Sequence, residues 1–331
     1  MKIFITRQIP DKGINLLKEK GYEIAVSPHD RVLSEEELID YLKKDKYDAL
    51  LCLLTDKIDS EVLDAAKESG VKIIANYAVG FDNINVEAAK KRGIIVTNTP
   101  GVLTDTVAEH TFALMLAIAH RISEAERFIR AGKYQGWAPM MLLGDGVTGK
   151  TLGILGLGRI GARVAYHGKK GFDMRVVYYD VKRNEEFERE YGVDSTGSPQ
   201  VEFREQAEDV FKEADFVSIH VPLLDSTRHL VNAARLHMMK KTAYLVNTSR
   251  GAVVDERALA EALKTGVIKG AALDVFEHEP RVEPLLLELD NVILTPHIAS
   301  ATEATRGKMS EMAADNIIAA LSGAVPPNAV A

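Results

Sequence analysis

Short apolar runs alternate along the chain with longer stretches in which apolar residues recur every three or four positions. In the first third the runs are KIFIT (2–6), YEIAV (22–26), ALLCLL (49–54), KIIANYA (72–78) and IIVTN (94–98). Runs that are continuously apolar, rather than alternating, predict strands buried on both faces. The stretches between them, such as PDKGINLLKEKG and SEEELIDYLKKD, predict covering helices and hence a parallel sheet. Pro100-Gly101 punctuates the pattern, and Thr104 or Asp105 could cap the helix that follows. A second series runs TLGILGLG (151–158), MRVVYYD (174–180), FVSIHVPL (216–223), AYLVNTSR (243–250), AALDVF (271–276) and VILTPHI (292–298). Six strands with helices between them match a six-stranded, doubly wound nucleotide-binding sheet. After His297, ATEATRGKMSEMAADNIIAALSG predicts an amphipathic helix stopped by Gly323 and Pro326-Pro327. With no strand after it, this helix is expected to pack on the N-terminal domain. The expected domains are 1–99 plus 299–331, and 100–298.

A chain of 331 residues is long enough for two domains, and 46% hydrophobic with 27% charged residues is an ordinary globular profile. The net charge of −7, with basic residues clustered only in pairs such as Lys169-Lys170 and Lys240-Lys241, argues against nucleic acid as a partner. Cys52 is the single cysteine, which excludes an intrachain disulfide and a multi-cysteine zinc site. The apolar run of MKIFITRQIPDKG is too short for a signal peptide. The stretch 106–120 contains Glu109 and His110 and falls short of the roughly 18 apolar residues that span a bilayer, so it predicts a buried helix. A cytoplasmic protein with no membrane partner is the expectation.

Two clusters carry chemistry. Gly156-x-Gly158-x-x-Gly161 follows an apolar strand and opens a helix, with Arg159 and Ile160 in its first turn. That context suits a dinucleotide pyrophosphate: a tight turn, close backbone approach, close helix–strand packing, and a helix N-terminus facing the phosphates. Asp180 ends the next strand, where a carboxylate accepts from both ribose hydroxyls and repels a 2′-phosphate, so NADH is expected over NADPH. Lys182 and Arg183 lie just beyond and weaken that preference. His220, Val221 and Pro222, at another strand end, could line the same crevice.

The second cluster gathers the ends of the last three strands, NTSRG, DVFEHEP and TPHIAS. Ligands of open α/β sheets bind beyond the carboxyl ends of the strands, so Arg250, Glu279 and His297 should converge. An arginine matches a substrate carboxylate bidentately. A histidine can donate a proton near neutrality. An adjacent carboxylate orients the ring and favours imidazolium. DVFEHEP holds three carboxylates and a histidine, but a metal needs three or four ligands in fixed geometry, and none is expected. Glu277 and His278 are expected in a solvated turn. His110, His120, His167, His229 and His237 are expected to be structural or surface residues, and Arg121 and Arg130 helix-end charges.

These motifs, with GFDNINVEAAKKRGIIVTNTPG, GKTLGILGLGRIG, NTSRGAVVDERAL, AALDVFEHEP and VILTPHIAS, resemble the D-isomer-specific 2-hydroxyacid dehydrogenase family over essentially the full chain. The resemblance implies a Rossmann NAD-binding domain inserted into a flavodoxin-like substrate domain, both doubly wound α/β. It implies Arg250, Glu279 and His297 as the catalytic set, with Asp274 facing the nicotinamide carboxamide. It places Val107, Thr227, Thr248, Ser249 and Ala299 with the cofactor residues above. The substrate would meet Leu54, Arg250, His297 and the backbone amides of Val79 and Gly80. The family is usually dimeric, with helix 104–120 and the connector around Trp137 as the natural interface. Closure about hinges near Pro100 and His297 is expected.

Within the family, GKYQGWAPMMLLGDGVTGKTLG is most similar to the glyoxylate/hydroxypyruvate reductase branch. Trp137, Met140 and Met141, with Leu53 and Leu54, are candidates for the wall of the substrate pocket or for an interdomain or subunit seam. Other readings are a D-lactate dehydrogenase acting on pyruvate and an NADH-sensing corepressor. A phosphite dehydrogenase is disfavoured, because Val79 stands where that enzyme has a lysine.

Overall fold

The computed structural model describes residues 1–193 and 200–330. They form two compact α/β units, Met1–Leu103 with Ser300–Ala331, and Thr104–Ala299. In the first unit β1 (Lys2–Ile5), β2 (Glu23–Val26), β3 (Ala49–Leu53), β4 (Ile73–Tyr77) and β5 (Ile95–Thr97) make a parallel sheet ordered β2-β1-β3-β4-β5. This is the flavodoxin-like order. Central strands β3 and β4 are buried almost throughout, which is why their sequences read as continuous apolar runs.

Helix ends follow local chemistry. Ser34 and Glu37 close a capping box on helix Glu35–Lys44, and Asp59 caps Ser60–Ser69. The C-terminal helix Glu303–Leu321 packs on this unit, as expected. Tyr77 Oη donates to the Arg306 carbonyl at 2.6 Å, Ser310 Oγ donates to Pro10 at 2.6 Å, and Asn316 Nδ2 donates to Asn98 at 3.2 Å.

The second unit holds β6 (Thr151–Leu155), β7 (Arg175–Tyr179), β8 (Val201–Phe203), β9 (Phe216–Ile219), β10 (Tyr244–Asn247), β11 (Gly270–Leu273) and β12 (Val292–Leu294). Their order, β12-β11-β10-β9-β6-β7-β8, is parallel throughout. The sequence pattern predicts six strands here. The seventh, β8, pairs only with β7 at the sheet edge, and its three residues are too few to show a period. Chain direction switches between β6 and β9, and the crevice at such a switch point is where nucleotides bind.

Helix Thr104–Ala119 contributes much of its surface to the core: Val107, Ala108, Phe112, Leu114, Met115 and Ile118 are all buried within the second unit, while Asp105 and Glu109 stay exposed. Phe112 stacks on Phe172 at 5.3 Å. The exposed apolar residues belong instead to the next helix, Ile122–Arg130, which buries no residue, and to the connector, where Trp137 is 81% exposed. Among the described residues no helix is long and apolar enough to cross a membrane.

Because Phe112 fills core volume, Phe112→Ala should cost about 3–5 kcal/mol. Denaturant unfolding should show this as a lower midpoint at every protein concentration. A midpoint equal to wild type would mean that the helix is not part of the core.

Candidate active site

The switch point of the second unit is built by two strand ends. Gly156 follows β6 with φ 93°, a conformation L side chains rarely adopt, and a Cβ there would sit 2.8 Å from the His220 carbonyl. Gly161 packs its helix against the Gly156 carbonyl with no room for a side chain. Gly158 differs: a Cβ added there would meet nothing within 4 Å. This open cradle faces the start of helix Arg159–Phe172, whose N-cap Gly158 offers no side chain to the first-turn amides. A pyrophosphate fits there, on unsatisfied N–H groups and the positive end of the helix. Asp180, just past β7, accepts the Leu157 N–H on Oδ2 at 2.7 Å, so this carboxylate is tied to the glycine loop itself. His220 hydrogen-bonds Ser218 Oγ through Nε2 at 2.8 Å. Burial pushes its pKa down to about 3, so the ring is neutral near pH 7.

The ends of β10, β11 and β12 carry the second constellation. His297 Nδ1 lies 3.0 Å from Glu279 Oε2, with both side chains about a quarter exposed (25% and 27%). Glu279 Oε1 accepts the Phe276 N–H at 3.0 Å. Burial alone would raise the Glu279 pKa. The His297 hydrogen bond, its charge, the Phe276 amide and the Arg250 guanidinium outweigh burial and hold it below the usual carboxylate range. Arg250 opens the turn Gly251–Val253 and donates through Nη1 to the Ser249 carbonyl at 2.9 Å. A cation, an imidazole and an ionised carboxylate are thus assembled beyond three adjacent strands of one sheet.

His297 sits at φ 54°, a left-handed conformation that costs a non-glycine residue about 1–3 kcal/mol. Asp274 holds it there. The Asp274 carbonyl accepts the His297 N–H at 2.9 Å, Oδ1 accepts Ile298 N–H at 2.9 Å, and Oδ2 accepts Ala299 N–H at 2.8 Å. Thr295 Oγ1 donates to Oδ1 at 2.6 Å, and His110 Nε2 stands 3.4 Å from the same oxygen. Burial would raise the Asp274 pKa, but these hydrogen bonds outweigh it and lower the pKa. The side chain is 0% exposed. It was expected to face the nicotinamide carboxamide; in this structure its oxygens serve the 295–299 turn.

Other expected residues divide in the same way. Thr227 Oγ1 donates to the Pro222 carbonyl at 2.6 Å and shapes the loop after β9. Ser249 bonds the Asn247 side chain at 2.9 Å. Val107, Thr248 and Ala299 are buried, and Thr248 Oγ1 is 3.0 Å from Thr111 Oγ1. In the first unit, Leu54 lies on a turn closed by Asp56, which accepts Leu53 N–H at 2.8 Å. Asn98 donates to the Val79 carbonyl at 2.7 Å and Asn76 to the Gly80 carbonyl at 2.9 Å. In a trans peptide the Gly80 N–H must point away from the anchored Val79 carbonyl.

The carboxylates of DVFEHEP go to three different partners. Asp274 turns to the 295–299 segment, Glu279 to His297, and Glu277 to His229 at 2.7 Å. The last corrects the solvated-turn expectation: Glu277 is only 16% exposed, whereas His278 is exposed. His110 and His229, read as structural or surface residues, instead meet carboxylates of this segment. Their sequence positions on unrelated elements carry no signal of those pairs. A cavity of about 370 Å³ lined by Arg121, Glu124, Tyr244 and Lys269 lies at the opposite strand ends. Its cations are committed, Arg121 to Glu124 at 2.7 Å and Lys269 to Asp145.

Residues 112–299 match the family model for the D-isomer specific 2-hydroxyacid dehydrogenase NAD binding domain. Over 331 aligned residues the chain is 50% identical to the glyoxylate reductase of Korarchaeum cryptofilum (strain OPF8), covering 99% of this chain and 95% of that one. Among solved structures, the TT0316 protein of Thermus thermophilus superposes with a TM-score of 0.90 at 42% identity, covering 100% of both chains. The NADPH-dependent glyoxylate/hydroxypyruvate reductase of Sinorhizobium meliloti, in complex with NADP and malonate, gives 0.84 at 31% identity, covering 100% of this chain and 96% of that one.

The lowered Asp274 pKa sets an acid limit. A carboxylate whose folded pKa lies below its unfolded value of about 4 contributes stability that is complete above about pH 5 and is lost as pH falls through the folded value. Asp274→Asn should therefore cost about 2–4 kcal/mol at pH 7 and flatten the loss of stability between about pH 5 and 3. Denaturant titrations across that range check it. Equal stability of variant and wild type at pH 7 would remove Asp274 as the anchor of the turn.

Proposed function

The chain belongs to the D-isomer specific 2-hydroxyacid dehydrogenase family and is an NAD(P)-dependent oxidoreductase that reduces a 2-keto acid to the hydroxy acid; on that premise we propose glyoxylate or hydroxypyruvate as substrate, NADH as donor and His297 as the proton donor. The observation that carries the mechanism is the 3.0 Å contact between His297 Nδ1 and Glu279. With Nδ1 held by the carboxylate, Nε2 is left to donate to the substrate carbonyl oxygen. Arg250 holds the substrate carboxylate through a bidentate pair. The Val79 and Gly80 amides and a carboxamide contact of Asp274 enter this reading by family resemblance. The bound reduced nicotinamide supplies the hydride. As the carbonyl carbon gains that hydride, the oxygen takes the His297 proton, and the neutral imidazole recovers a proton from solvent. Glu279 stays ionised and keeps the ring oriented in both protonation states.

The preference for NADH rests on Asp180, whose negative charge beside the glycine loop disfavours a 2′-phosphate. The substrate choice rests on the 50% identity to a protein named glyoxylate reductase. One methylene is worth roughly 1–3 kcal/mol in discrimination, so pyruvate is the close competitor. We further place the enzyme in the cytoplasm as a homodimer. The exposed apolar side chains of Ile122, Ile129, Trp137 and Met140 are the surface a second copy would cover.

Initial rates with glyoxylate, hydroxypyruvate and pyruvate, each with NADH and NADPH, test this reading. Glyoxylate or hydroxypyruvate should lead with NADH. A lead for pyruvate would make the enzyme a D-lactate dehydrogenase, and tight NADH binding without turnover would favour a sensing role. His297→Ala should lower kcat by about 10²–10⁴-fold, the usual cost of a lost general acid. A kcat near wild type would reject His297 as the donor. Asp180→Ala should erode the NADH over NADPH ratio, and an unchanged ratio would place selectivity elsewhere.

A further inference from the structure

Arg183 follows Asp180 by three residues, and a guanidinium there is the natural ligand for a 2′-phosphate. The structure commits it elsewhere. Arg183 Nε lies 3.0 and 2.9 Å from the two Glu188 carboxylate oxygens, and Nη2 lies 2.6 Å from Oε2. The two partners are unequally fixed, since the Arg183 side chain is 56% exposed and that of Glu188 only 13%. Glu188 Oε1 also accepts the Tyr178 hydroxyl at 2.6 Å, and Tyr178 is wholly buried. The Tyr178 oxygen in turn accepts the Asn184 N–H at 2.9 Å. Asn184 caps helix Glu185–Tyr191 and reaches the Leu157 carbonyl of the glycine loop at 3.4 Å. Glu188 is therefore anchored both to the core and, through Asn184, to the cofactor loop.

We propose that Glu188 is a specificity-determining residue that withholds Arg183 from the 2′-phosphate of NADP and so reinforces Asp180. This inference rests on the dinucleotide site and on the NADH preference proposed above. Two effects act together. A 2′-phosphate must compete for Arg183 against a bidentate carboxylate, and if it wins, Glu188 is left as a poorly solvated anion near the phosphate. An ordinary surface ion pair would do neither, because both of its partners rehydrate when it opens. Burial would raise the Glu188 pKa; the Arg183 and Tyr178 hydrogen bonds outweigh it, so the group is ionised wherever the enzyme works near neutrality.

Glu188→Gln removes the charge and keeps an acceptor for Tyr178. Calorimetric affinities for adenosine 2′,5′-bisphosphate and adenosine 5′-monophosphate give the selectivity without catalysis, and kcat/KM with NADPH and NADH gives it in turnover. Both ratios should move about tenfold toward the 2′-phosphate, the worth of one charge-assisted contact. Arg183→Ala added to Glu188→Gln should cancel the gain. Arg183→Ala alone leaves Glu188 unpaired and should move neither ratio toward the 2′-phosphate. An unmoved ratio in a folded Glu188→Gln enzyme would overturn the inference. So would a gain that survives without Arg183, or a ratio that moves toward the 2′-phosphate in Arg183→Ala alone. Wild-type enzyme that already prefers the bisphosphate would instead overturn the underlying cofactor reading, a result visible before any variant is made.

Discussion

The buried carboxylate of Asp274 is the constraint on which the chemistry depends. It ends β11 and is 0% exposed, yet it accepts two backbone amides and a hydroxyl from the 295–299 segment. Those bonds keep His297 at a positive φ that a histidine would not otherwise hold. From that backbone position Nδ1 meets Glu279, and the opposite ring nitrogen is free to serve the substrate. A buried, fully hydrogen-bonded charge is costly to form and more costly to disturb, which makes it a rigid reference point. The His297 imidazole is thus positioned from beneath, by a residue just past a neighbouring strand, and met from the side by a second carboxylate.

The cofactor edge uses charge in the same double way. Asp180 binds a glycine-loop amide and sets a carboxylate beside that loop. Glu188 binds the nearest arginine and a buried tyrosine. Each carboxylate stabilises the local fold and, in the reading proposed above, also biases which ligand the crevice accepts. The glycine loop does the opposite work, leaving open space at Gly158 beside the close contacts that Gly156 and Gly161 make.

Most of the architecture was legible because parallel strands buried on both faces leave an unmistakable trace, continuous apolar runs separated by helical periodicity. β8 was not, since a three-residue edge strand has no period to show. The helix Thr104–Ala119 buries the apolar face that its sequence predicts, but apolarity says that a face is covered and not by what. In the site, Arg250, Glu279, His297 and the glycine loop announced themselves by residue type at strand ends. The partners of Asp274 did not. Nothing in the sequence sets His110 beside a strand-end aspartate 164 positions later, and nothing in DVFEHEP says that Glu277 will turn to His229.

By itself, then, the sequence determined the strand inventory apart from β8, the family, the glycine motif and which residue types stand at the strand ends. Each of these is a local property, set by a few consecutive residues or by a period of two to four. Only the tertiary structure decided which carboxylate serves which partner: Asp274 the turn beneath His297, Glu279 the imidazole, Glu277 His229, and Glu188 Arg183. Three of these four acids lie within six residues of one another, and their sequence environments are nearly interchangeable. What separates them is direction, because successive side chains beyond a strand end point to different neighbours, and direction exists only once the sheet has formed.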